Sequence, residues 1–223
     1  MIDHYDWSGG REAMLRFGPG TGPVVVAALP LFEEANRTRT LVVTVLRMLA
    51  QRGISGALPD LPGTGESILP TEQMTLAALE QAFTAAAATF GTPHIVSIRS
   101  GALVTGRARG ASRWAFAPMD GGRFADELVR IGKLGGAGSA AIAGLPLEIA
   151  GNLLSPILLG DLRIASPDMA SPCRTVRLAS DPQPADHRVD GAPLWRRAEP
   201  DNDIVLAESL THDIAEWIAP CDD

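Results

Sequence analysis

The chain has 223 residues, 46% of them hydrophobic, with apolar segments spread along its length, which is enough for one domain with a sizeable core. A net charge of −7 excludes the basic surface that nucleic acid or an anionic membrane would require. The two cysteines, Cys173 and Cys221, make neither a disulfide framework nor a zinc site, so the expected setting is a reducing cytoplasm and no metal or cofactor is expected. Residues 1–12 carry Asp3, Asp6 and Arg11 where a secretory signal would be apolar, and residues 1–10 read as a disordered tail. Pro146, Glu148, Asn152 and Pro156 interrupt the apolar stretch 143–160, which cannot supply the roughly 20 apolar residues of a membrane span.

Taken in order, strands and helices alternate. Residues 13–17 are a weak strand, and 23–29 (PVVVAAL) are a continuous apolar run of the kind buried on both faces of a sheet. A helix is predicted over 38–52, with Leu41, Val45, Met48 and Leu49 on one stripe, followed by a strand over 54–58 and a turn-rich loop over 59–70. An alanine-rich helix runs to residue 90, with Thr71 as its expected cap. A strand over 94–98 then leads into a predicted helix over 100–109, a strand over 114–117 and a helix over 120–134. Residues 135–170 read as a short, irregular, lid-like region containing a strand at 147–150 and a helix opened by Ser155-Pro156. A strand over 175–179, a weak edge strand over 194–197 and a final helix over 206–218 complete the pattern. Such alternation argues for a parallel sheet covered on both faces within a single domain, 1–223.

Three loops carry chemistry. The stretch His94-Ile95-Val96-Ser97-Ile98-Arg99-Ser100-Gly101 has the outline of a nucleophile elbow, the G-x-S-x-G strand–turn–helix that exposes a serine. Here the tip is Arg99, and Ser100 comes one place late. The Asp60 to Ser67 loop holds two glycines, Gly63 and Gly65, after a strand, and the loop after Leu29 is placed to lend a backbone N–H to an oxyanion.

Together these loops resemble the α/β-hydrolase-fold superfamily. Within it the chain is similar to the hydrolase-like proteins associated with the exosortase A system of exopolysaccharide-producing bacteria. The resemblance rests on Phe32-Glu33-Glu34 with Asn36-Arg37, on Asp60 to Ser67, on Ile98-Arg99 with Gly101-Ala102-Leu103, and on Ala150-Gly151 with Leu154-Ser155-Pro156. It implies a three-layer α/β/α sandwich with a mostly parallel central sheet and a reduced or absent lid. It also implies a site built from a serine, a histidine, an acid and two backbone donors.

Set against those requirements, the residues fall short. A guanidinium stays protonated and cannot be a nucleophile. Asp181, after the strand 175–179, stands at a usual acid position. The loop before the last helix contains no histidine; His187 is the histidine expected nearest the site, while His94, His4 and His212 are placed away from it. Three readings stay open. One is a degenerate hydrolase homologue acting as a binding or accessory module, with Arg99, Ser100, Leu31, Phe32, Glu33 and Glu34 around a small anionic or acyl ligand. A second is an active serine esterase or peptidase using Ser100, His187 and Asp181. A third is a partner-binding protein whose site is closed by a pair between Arg99 and Glu33 or Glu34. The oligomeric state is left open, a homodimer included.

Overall fold

The computed structural model describes residues 1–134, 145–170 and 172–219. The order of elements begins with strands β1 (Ile2–Trp7), β2 (Gly10–Phe17) and β3 (Val24–Ala28), helix α1 (Glu33–Gln51), β4 (Ser55–Pro59), α2 (Leu76–Ala88) and β5 (His94–Ile98). It continues with β6 (Arg113–Phe116), α3 (Gly121–Leu134), β7 (Leu147–Ile149), β8 (Asn152–Leu154), α4 (Pro156–Ile164), β9 (Cys173–Leu178), β10 (His187–Val189) and α5 (Ile204–Ile218). Eight strands form one sheet in the order β1-β2-β4-β3-β5-β6-β9-β10. The first two strands are antiparallel additions, and every pairing from β4 to β10 is parallel.

Period-two alternation along β3 divides the core in two. Val25 and Ala27 face α1 and α5, where they meet Leu41, Val45, Leu49, Leu210 and Ile214. Val26 and Ala28 face the other layer, with Leu79 and Phe83 of α2, Phe124 of α3 and Leu158 of α4. Both faces are therefore apolar, which is why the strand reads as an unbroken β-branched run. Burying each such leucine or valine contributes about 1.5–3 kcal/mol. The result is the three-layer α/β/α sandwich with a mostly parallel sheet that the sequence led us to expect.

Several expected elements differ. Residues 1–10 are not a disordered tail. β1 pairs along its whole length with β2, and the buried Tyr5 donates its hydroxyl to the Asp60 carbonyl at 2.7 Å. The cap of α2 is Thr75, which accepts from Ala78 N–H, while Thr71 opens a separate 3-10 turn, Thr71–Gln73. Residues 194–197 are not a strand: Pro193 leads into the 3-10 turn Leu194–Arg196, which buries Leu194 and Trp195. Within the lid-like region, Ala150 and Gly151 both have positive φ (48° and 79°) and close the β7–β8 hairpin. Residues 135–144 and 171, and with them the loosely patterned segment, lie outside the described residues, as does Cys221.

The largest departure follows β5. The helix expected over 100–109 does not form; only the 3-10 turn Arg99–Leu103 does. Residues 104–112 then cross to β6 as a loop, with Gly106 and Gly110 interrupting any helical register. The Arg113 guanidinium satisfies that loop's carbonyls, donating to Thr105, Gly106 and Ala108 at 2.8–3.3 Å.

A buried polar cluster ties the opposite, amino-terminal edge of the sheet to α5. The Asp213 carboxylate accepts from Arg174 at 2.7 and 3.0 Å and from the Trp114 Nε1–H at 2.7 Å. Burial alone would raise its pKa, but the Arg174 and Trp114 hydrogen bonds outweigh burial and hold it below the usual carboxylate value. Stability from a lowered carboxylate pKa is present above its unfolded pKa of about 3.9 and is lost as pH falls through the folded value. Asp213→Asn is therefore expected to cost about 2 kcal/mol at neutral pH. It should also flatten the loss of stability below about pH 4, both effects measured by urea denaturation across that range.

Candidate functional site

The carboxyl ends of the parallel strands bring together the loop after β3, the loop after β4, the turn after β5 and the loop after β9, the usual place for ligands in an open α/β sheet. At its centre stands the turn after β5. Arg99 is its tip, with φ 53°, a left-handed conformation rarely adopted by residues other than glycine. Across from it, Phe32 caps α1 with φ 58° and stacks on Phe124, ring centroids 6.1 Å apart. Two strained side-chain-bearing residues at one point cost of order 1–3 kcal/mol each, and such strain collects at functional sites.

The tip thus keeps the left-handed backbone of an elbow, without the helix expected after it, and carries an arginine where serine chemistry would need a hydroxyl. Arg99 Nη2 and Nε donate to the two oxygens of Glu34 at 2.8 and 3.2 Å, a fork-to-fork pair, with side chains only 10% and 14% exposed. Its guanidinium also lies over the Trp195 ring, 4.7 Å from the centroid. Nη2 makes a longer contact, 3.4 Å, to Glu127 of α3, whose side chain is 38% exposed. Nη1 has no hydrogen-bond partner among the described residues.

Ser100 is sealed. It is 0% exposed, and its Oγ accepts the Leu31 N–H at 2.9 Å. The amide that the loop after β3 was expected to lend to an oxyanion is therefore occupied by this hydroxyl. Gly101 makes that approach feasible, because a Cβ there would collide with the carbonyl oxygens of Ala28 and Leu29. With no α-helix after the turn, the cradle of helix amides expected around an anion is also missing.

The remaining expected residues separate. Asp181 follows β9 and lines a cleft with Arg99, but it is held by Arg177 at 2.9 Å and by Gln183 N–H at 3.0 Å. Partial burial opposes its ionised form; those partners outweigh burial and hold the pKa below the ordinary value. His187 does not join it. The residue opens β10, and its Nε2 stands 3.8 Å from Asp213 at the other edge of the sheet. His94 is buried against Ser112 at 2.9 Å, and His212 pairs with Glu216 on the surface of α5. Glu33 pairs with Arg37 at 3.1 Å. Of the esterase reading's residues, Asp181 thus reaches the cleft beside Arg99 but is held by Arg177, Ser100 is buried on the Leu31 amide, and His187 stands against Asp213 at the other edge.

Space remains around the elbow. A cleft of about 580 Å³ runs between the loop after β3, residues 59–72 and the β7–β8 hairpin. Asp60 at its wall is fully engaged, by Arg39 at 2.9 Å and by Glu66 N–H at 3.2 Å. A second cleft, about 410 Å³, lies between α1, α3 and the 194–196 turn, and a third, about 210 Å³, opens beside Asp181; Arg99, Glu127, Trp195 and Arg196 line both. Two donors bordering the second cleft, Trp195 Nε1 and Arg37 Nε, are buried with no acceptor among the described residues. An unmet buried donor costs about 1–3 kcal/mol. Sequence reasoning missed Glu127, Trp195 and Arg37 as site residues. The stripe Phe124, Leu128, Ile131 was legible on α3, and Glu127 beside it was the available signal.

No family model and no curated protein match the chain by sequence. Solved structures do. A haloalkane dehalogenase loop variant from Bradyrhizobium elkanii superposes with a TM-score of 0.65 at 13% identity, covering 99% of this chain and 97% of that one. A thermophilic esterase from Thermogutta terrifontis gives 0.56 at 16% identity and covers 100% of both chains. The bottromycin epimerase BotH gives 0.56 at 14% identity, with coverages of 100% and 99%. This is the α/β-hydrolase fold. At such identities the likeness concerns the fold alone, so what this α/β-hydrolase fold does must be argued from its own site.

Proposed function

We propose that this α/β-hydrolase-fold chain is a degenerate hydrolase homologue that acts as a binding or accessory module without serine chemistry. The observation that carries the reading is Arg99 at the elbow tip, in left-handed conformation and locked to both oxygens of Glu34. Its neighbour Ser100 has no base within its set of hydrogen bonds and no access to solvent. Loss of nucleophile and base together removes on the order of a million-fold in rate in a dissected serine protease. A place in exopolysaccharide or exosortase-linked surface-protein processing in a bacterium rests on the resemblance of the loops alone, and a cytoplasmic setting on the low cysteine content. Chromogenic p-nitrophenyl esters of short to medium chain length test the enzymatic side. Rates at the buffer background, unchanged by Ser100→Ala, are expected. Saturable turnover abolished by Ser100→Ala would establish the esterase reading instead.

A further inference from the structure

The cleft between α1, α3 and the 194–196 turn has features that the pair at its centre leaves unused. Its floor is apolar, formed by Leu31, Phe124, Leu128 and Ile131, and its volume, about 410 Å³, suits a small ligand. Its polar wall carries four guanidiniums, Arg37, Arg99, Arg130 and Arg196, against three carboxylates, Glu33, Glu34 and Glu127. In an acidic chain this is a local excess of positive charge. Arg130 and Arg196 are exposed and have no ion-pair partner among the described residues. The buried Trp195 Nε1 and Arg37 Nε, together with Arg99 Nη1, are donors still lacking acceptors.

We propose that this cleft binds a small amphipathic carboxylate, with its apolar chain on the Leu31–Phe124–Leu128–Ile131 floor and its head group between Arg99, Arg130 and Arg196. The inference rests on the reading of Arg99 as a replaced nucleophile, and it adds the ligand class. Glu127 indicates the head group. Its carboxylate makes the longest and most solvent-exposed contact of the Arg99 cluster, 3.4 Å, so it acts as a resident stand-in that a second carboxylate can replace like for like. The single surplus cation of the wall matches one negative charge. The fork of Arg99 stays on Glu34, which keeps the site preorganised.

Isothermal titration of the intact chain with decanoate, below its micelle-forming concentration, tests this. Saturable one-to-one binding is expected. It should weaken by about tenfold in an Arg130→Ala, Arg196→Ala double variant, both of whose sites are exposed and whose thermal midpoint should be unchanged. Glu127→Gln should tighten it severalfold by removing the competing charge. Decanol, acetate, inorganic phosphate and decyl phosphate complete the set. Equal binding of decanol would overturn the anion recognition, and equal binding of acetate or phosphate would overturn the apolar floor. Preference for decyl phosphate would overturn the carboxylate assignment, and no binding of any of them would overturn the site. Ester turnover is read in a separate assay, so an active enzyme and an empty cleft give different results.

Discussion

Replacing Arg99 with alanine is expected to destabilise the fold by about 3 kcal/mol, measured as a shift in the urea midpoint at constant slope. The pair with Glu34 is nearly buried, so removing the cation leaves a carboxylate without compensation rather than merely losing one contact. Two further variants separate the contributions. Arg99→Gly also loses the pair, but at φ 53° it should be about 1 kcal/mol more stable than Arg99→Ala, because glycine adopts the left-handed turn without a Cβ clash. Arg99→Ala combined with Glu34→Ala should cost clearly less than the two single changes together, since neither charge is then orphaned. Equal stability of the glycine and alanine variants would contradict the strained tip.

Gly101→Ala is the second large effect, with an expected cost of about 3 kcal/mol or more. A Cβ at this position would overlap two backbone carbonyl oxygens, of Ala28 and Leu29, neither of which belongs to a side chain that can swing aside. The turn after β5 and the loop after β3 would have to separate, and the Leu31 N–H to Ser100 Oγ bond would go with them. By contrast Gly160, where an added Cβ meets nothing within 4 Å, should accept alanine with little change and serves as the control. Chemical denaturation of the two variants side by side reads both.

These two positions also show what was legible in the sequence. The unbroken apolar run of β3, the short apolar core of β5 and the stripe of α1 followed from the sequence pattern, and with them the layered sheet. The elbow tip was legible because Ser97 to Gly101, at the end of an apolar strand, overlays the G-x-S-x-G outline with Arg99 at its centre. What followed it was not. The segment 100–109 opens on apolar residues that suggest a helix, but Gly101 and Gly106 weaken it, and three of its carbonyls are claimed by the Arg113 side chain, five to eight residues further on, instead of by a helical ladder. His187 was misplaced for a similar reason. Its loop folds back to start β10, and the register that pairs it with Val176 carries it away from Asp181. The first strand of the 2–17 hairpin was missed, although residues 13–17 of the second were read as a strand, because Tyr5 is the one fully buried residue of β1 and its partner, the Asp60 carbonyl, lies on another element. Trp195 was read as part of an edge strand, and only the packing of its turn against α1 brings it over Arg99.

The proposal that this chain carries no serine chemistry is tested most directly by intact-mass measurement after exposure to a fluorophosphonate. The elbow geometry predicts an unmodified chain for the native protein and for Arg99→Ser alike, since the substitution restores a hydroxyl at the tip without a histidine to activate it or a free Leu31 amide to receive the oxyanion. A single adduct on the native chain, located at Ser100 and lost in Ser100→Ala, would contradict it.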